Sequence, residues 1–161
     1  EALIADEFYR PRDVYHLDGL QVTCGTMGIP TATVRLKGPD GKVHLHASMG
    51  SGPVDAAYKA IDAIIKVQNT LLEFNVHAIT EGIDALGEVT VRVQPKNDTN
   101  TTMDAQREVP YTRVFGGHGA DSDIIVASAK AYINALNKLI VAQTEGANPT
   151  PSNQTHGVML G

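Results

Sequence analysis

The run Gly50-Ser51-Gly52-Pro53-Val54-Asp55-Ala56-Ala57-Tyr58-Lys59-Ala60-Ile61-Asp62-Ala63-Ile64 decides the fold. A strand-like stretch feeds two glycines, a proline opens a helix, and alanines alternate with larger apolar residues. Later in the chain Gly117-His118-Gly119 precedes Ser122-Asp123-Ile124-Ile125-Val126-Ala127-Ser128-Ala129-Lys130-Ala131-Tyr132-Ile133-Asn134-Ala135-Leu136, with the same succession of features. A unit stated twice predicts two copies of one strand–turn–helix motif. Pro53 suits the first helical position, where its missing N–H costs nothing. Val54, Ala57, Tyr58, Ile61, Ile64 and Ile65 recur at helical spacing and form one apolar stripe. Ile124, Ile125, Ser128, Ala131, Tyr132, Ala135, Leu136 and Leu139 form a second, with Ser122 or Asp121 as its cap.

Outward from these helices, residues 18–24, 31–37 and 42–49 read as strands. The run 31–37 (TATVRLK) alternates apolar and polar. Gly38-Pro39-Asp40-Gly41 is a hairpin turn. Residues 71–80, 88–94 (EVTVRVQ, kin to TATVRLK) and 110–115 repeat the series, with a polar loop over 95–109. The order is βββα twice. The expected fold class is α+β, with six strands offering a sheet surface to two helices, and a dimeric assembly. Residues 1–16 read as a lead-in or linker and 17–140 as one domain. Its repeats span about 17–68 and 69–140, and 141–161 form a polar, disordered tail. The first residue is Glu, which fits a piece of a longer protein.

Composition excludes several classes of function. The chain has 161 residues, no Trp, 5% aromatic residues and a net charge of −5, with no block of Lys or Arg. That argues against a nucleic-acid partner and against a polybasic membrane patch. No stretch reads as a membrane span. The single cysteine, Cys24, cannot form an internal disulfide and reads as a small buried hydrophobe in the first strand. This fits a reducing compartment such as the cytoplasm.

No catalytic centre can be assembled: there is no Gly-x-Ser-x-Gly elbow and no phosphate-binding P-loop. His44 and His46 share a strand face but lack a third ligand, so no metal site is expected. His77 reads as structural and His118 as a turn residue. What remains is the pair of Gly-rich corners. Backbone N–H groups at a helix start can receive a carboxylate, and Val54, Ala57 and Ile61, at i, i+3 and i+7, give an aliphatic strip. Leu71, Phe74 and Ala78 could form the opposite wall. That chemistry suits an aliphatic amino acid. The bland alternative is that the glycines only permit tight turns at positive φ.

The runs Gly50–Ala57, Glu81-Gly82-Ile83-Asp84-Ala85, Gly117–Ile124 and Ala131–Asn137 resemble the C-terminal regulatory domain of 2-isopropylmalate synthase, found also in citramalate synthase. The resemblance covers roughly residues 15–140. It implies a dimer of βββα repeats that binds leucine or isoleucine near the subunit interface and slows a catalytic barrel elsewhere in the parent acyltransferase. Any divalent metal and the acetyl-CoA chemistry would belong to that barrel, so no cofactor is expected in this domain. Carried over by position, the effector-binding residues would be Gly50, Gly52, Pro53, Val54, Ala57, Ile61, Leu71, Phe74, Ala78 and Ala120. The small Ala57 and the LDGLQVTCGT lead-in favour leucine; isoleucine sensing and a purely structural dimerisation module are the alternatives. The resemblance places the protein in the cytoplasm, or in the plastid stroma of a plant or alga.

Overall fold

The computed structural model describes residues 14–78, 85–96 and 113–147. It contains two βββα units, as the repeat predicts. In the first, β1 (His16–Thr23), β2 (Thr31–Lys37) and β3 (Val43–Met49) form an antiparallel sheet in the order β1-β2-β3, followed by α1 (Pro53–Ile65). In the second, β4 (Asn69–Ala78), β5 (Gly87–Pro95) and β6 (Phe115–Asp121) form another in the order β4-β5-β6, followed by α2 (Ile124–Ala147). The six strands therefore make two separate sheets rather than one surface. Each sheet carries its own helix, and the helices meet each other.

Alternation explains the central strands. Ala32, Val34 and Leu36 of β2 are fully buried, as are Val89, Val91 and Val93 of β5. Thr33 and Arg35, and Thr90 and Arg92, face the other way. Burying each such Val or Leu contributes about 1.5–3 kcal/mol. The opening strand of each unit carries a register shift near the same place, between Leu17 and Gly19 in β1 and between Leu71 and Glu73 in β4. In the β2–β3 turn, Gly38 N–H donates to Lys42 O (2.9 Å) and Lys42 N–H to Asp40 Oδ1 (3.1 Å).

The third strand of the second unit lies later in the chain than the expected 110–115. It runs Phe115–Asp121, so Gly117-His118-Gly119 is strand, not turn. Residues 110–112 lie outside the described residues. A Cβ on Gly117 would run into the backbone of Ala131 and Ala135, and one on Gly119 into that of Ala127 and Ala131. These glycines let the Ala-rich face of α2 sit directly on β6. Positive φ is not their purpose: among the described glycines only Gly41 has it (φ 75).

Helix α2 continues through Ala147, past the expected boundary at 140. Its segment Ile124–Glu145 is long and apolar enough to cross a membrane by length and composition, with mean hydropathy 1.4. That overturns the expectation that no stretch qualifies. The composition follows from packing, since Ala127, Ala131, Ala135, Leu136 and Leu139 are fully buried within the fold. Cys24 is exposed just beyond the end of β1, not buried in it. The expected 95–109 loop and the tail beyond 147 fall almost wholly outside the described residues.

Candidate functional site

Both corners are held by the protein's own carboxylates. In the first, Ser51 N–H donates to Asp55 Oδ2 (2.8 Å), which also pairs with Lys59 Nζ (3.0 Å). The Ser51 N–H first, then Lys59, hold the Asp55 carboxyl below the usual carboxylate range. Gly50 lies so close to α1 that a Cβ would strike the backbone of Ala56. Gly52 is the N-cap, in extended backbone, and gives α1 no side-chain cap. In the second corner, Asp121 Oδ1 accepts the Asp123 N–H (3.0 Å) and Asp121 Oδ2 accepts Lys130 Nζ (2.8 Å). Lys130 and the Asp123 N–H lower the Asp121 pKa. Asp123 Oδ1 accepts the Ile125 N–H (2.8 Å), so Asp123 caps α2 rather than Ser122 or Asp121. The structural mate of Gly50-Ser51-Gly52 is thus Asp121-Ser122-Asp123.

The predicted wall residues divide. Ala57 and Ile61 are buried (1% and 0% exposed). Ala57 packs with Ala32, Leu20 and Val22 of its own sheet, and Ile61 lies in the main core. Ala120 lies on the far face of β6, opposite Glu88. Leu71 and Phe74 stand on the core-facing side of β4, in register with Val93 and Val91, and are only partly covered. Ala78 pairs with Gly87 at the end of that strand.

Phe74 meets Tyr58 of α1 edge-on, with ring centroids 6.3 Å apart. Further back, Asn69 and Asp62 converge on the Tyr132 hydroxyl. Strand β4 therefore passes α1 in the opposite direction. Val54 shares the helix face of Tyr58, one turn earlier. Of the expected wall residues on β4, Phe74 touches Tyr58 of α1, and Leu71 is partly exposed.

Tyr58, a member of the α1 stripe, joins the two units. Its ring stacks on that of Tyr132, 4.2 Å apart and 17° from parallel. Its hydroxyl donates to Ser128 O of α2 (3.0 Å), while the Tyr132 hydroxyl donates to Asp62 Oδ1 of α1 (2.6 Å). Burial raises both phenol pKa values, so both remain donors. Partial desolvation also raises the Asp62 carboxyl, against the opposing pull of Tyr132 and Asn69. A tyrosine in each stripe was the available signal.

Among the described residues no group of three or more His, Cys, Asp or Glu could hold a metal ion. His44 approaches Asp40 at 3.7 Å. His77 is exposed on the polar face of β4, opposite Glu88.

A sequence profile of one family, the LeuA allosteric (dimerisation) domain, matches residues 1–140. The chain belongs to that family. A protein from Gloeobacter violaceus named 2-isopropylmalate synthase is 50% identical over 94% of this chain and 25% of its own length. One from Solanum pennellii named 2-isopropylmalate synthase B is 47% identical over 86% of the chain and 22% of its own length. One from Arabidopsis thaliana named 2-isopropylmalate synthase 2, chloroplastic, is 48% identical over the same shares. This LeuA domain spans about a quarter of the length of these curated relatives.

Proposed function

We propose that the domain is the leucine-sensing, dimer-forming part of a 2-isopropylmalate synthase. The parent enzyme would be an acetyl-CoA-dependent acyltransferase of leucine biosynthesis, in the cytoplasm or plastid stroma, and leucine would inhibit it by feedback. The observation that supports the reading is the match of residues 1–140 to the LeuA allosteric (dimerisation) domain. Leu71 and Phe74 leave partly exposed apolar surface on β4, with Phe74 against Tyr58 of α1. The start of α1 has no side-chain cap, which suits a carboxylate. Ala57 and Ile61 would act from behind, by setting how α1 seats. Isoleucine, sensed in citramalate synthase, is the competing effector. Inhibition requires that leucine bind two states of the parent enzyme unequally.

Calorimetry and thermal unfolding with leucine, isoleucine and valine test this. Leucine at about a hundred times its dissociation constant should add ~2.7 kcal/mol of stability. Heat and thermal shift absent with all three amino acids would remove the sensing role. Replacing Gly52 with a bulky residue should abolish the shift and leave the fold intact, because a Cβ there meets open space. A purely structural dimerisation module is the second reading, and one observation favours it: carboxylates of the chain already occupy both corners. Under that reading the chain sediments as a dimer and ignores all three amino acids.

A further inference from the structure

Strand β3 alternates the opposite way from its neighbour β2. His44, His46 and Ser48 stand across from the fully buried Leu36, Val34 and Ala32, on the side where Ala32 packs with Ala56 and Ala57 of α1. Val43, Leu45 and Met49 therefore point away from the helix, 55%, 67% and 62% exposed. They share the outer face of the first sheet with Thr31, Thr33, Arg35 and Lys37 of β2. Ile29, also exposed, lies just before Thr31, the partner of Met49.

The internal repeat shows that such a sheet does not need this face. Arg35 of β2 and Arg92 of β5 hold equivalent places in TATVRLK and EVTVRVQ. Opposite Arg35 stands Leu45; opposite Arg92 stands Gly116. Further along, Thr31 faces Met49 where Glu88 faces Ala120. The outer face of the second sheet carries ion pairs instead, Arg92 with Glu73 (3.5 Å) and His118 with Glu88 (2.6 Å). Single exposed aliphatic residues are ordinary, but a row of them on one edge strand marks a contact surface.

The chain enters the first sheet at His16, in the row His16, Lys37, Val43. Neighbouring strands lie about 4.8 Å apart, so the entry point is roughly 10 Å from Val43. Chain preceding β1 thus reaches the domain beside the apolar row. The Gloeobacter relative is matched over 25% of its length, so most of such an enzyme lies outside this domain. The mixture of aliphatic and threonine side chains suits a contact between domains of one chain, which is more polar than an obligate subunit interface. The bare core-facing residues of β4 are the surface left to a second copy. We infer that the outer face of the first sheet, through Leu45 and Met49, docks against the part of a longer parent enzyme that precedes this domain. The inference rests on the parent-enzyme reading above and not on leucine as the effector.

Thiol labelling read by peptide mass spectrometry tests it, in the 161-residue chain and in the full-length parent enzyme, both carrying Cys24→Ser. Leu45→Cys should label at least about tenfold more slowly in the full-length enzyme than in the chain. Gly116→Cys, its counterpart on the second sheet, should label alike in both, and a Cβ has room there. Adding Met49→Lys to Leu45→Cys should return the full-length rate to that of the chain. Equal rates for Leu45→Cys in the two proteins would overturn the inference. So would slow labelling that Met49→Lys leaves unchanged, or labelling of the chain alone that slows as its concentration rises, which would assign the face to a second copy. Leucine calorimetry on the same samples keeps the two readings apart. Leucine binding without protection of Leu45→Cys fails this inference alone; protection without leucine binding fails the sensing role alone.

Discussion

Lys66 ends α1 in the left-handed conformation (φ 56, ψ 34), its N–H donating to Asp62 O (2.8 Å). A side chain at that position is strained where glycine is not. Lys66→Gly should therefore raise stability by about 0.5–1 kcal/mol in urea unfolding, net of the added chain entropy. Asp62 sets a pH dependence. Its carboxyl pKa is raised by desolvation, so the folded chain holds that proton more tightly than the unfolded chain. Stability from this group falls as pH rises from the ordinary aspartate value through the raised one. Asp40, Asp55 and Asp121, with lowered values, act oppositely: their contribution is lost as pH falls through their folded pKa values. Tyr132→Phe removes the donor to ionised Asp62 and should cost about 1–2 kcal/mol at neutral pH. Unfolding at several pH values should show that cost shrinking as Asp62 becomes protonated. Neither tyrosine's role was legible in the sequence, because stripe spacing marks a face and not the partner that face meets.

At the scale of elements, β6 lies directly against the backbone of α2, and glycine makes that possible. Gly119→Ala would force a methyl into the backbone of Ala127 and Ala131. It should destabilise by about 3 kcal/mol in thermal or urea unfolding. Gly52→Ala should cost under about 1 kcal/mol, since it changes only an N-cap with open space around it. A turn reading of Gly117 and Gly119 predicts two mild effects instead. Strands β2 and β5 were legible from alternation alone, because one face of each is wholly buried. Strand β6 was not, since four glycines and alanines in seven residues carry no period-2 contrast.

For the whole molecule, the internal repeat shows what is left uncovered. The core-facing residues of β1, Leu17 and Leu20, pack against the main core. The corresponding residues of β4 remain partly bare, with Leu71, Phe74 and Val76 at 42%, 38% and 48% exposure. A second copy in a dimer would cover them. Sedimentation at micromolar concentration should show a dimer, and Phe74→Glu with Val76→Lys should raise its dissociation constant at least about tenfold. Unchanged self-association in that variant would move the interface elsewhere.

Local chain chemistry by itself determined the βββα repeat, the central strands, the apolar stripes and the family, because periodicity and duplicated motifs are properties of neighbouring residues. Only the tertiary structure decided that the strands split into two sheets and that paired glycines serve close packing. It also decided which of the expected wall residues are buried, as Ala57 and Ile61 are, and which stay partly exposed, as Leu71 and Phe74 do. Those outcomes depend on what each face packs against, and that partner lies tens of residues away along the chain.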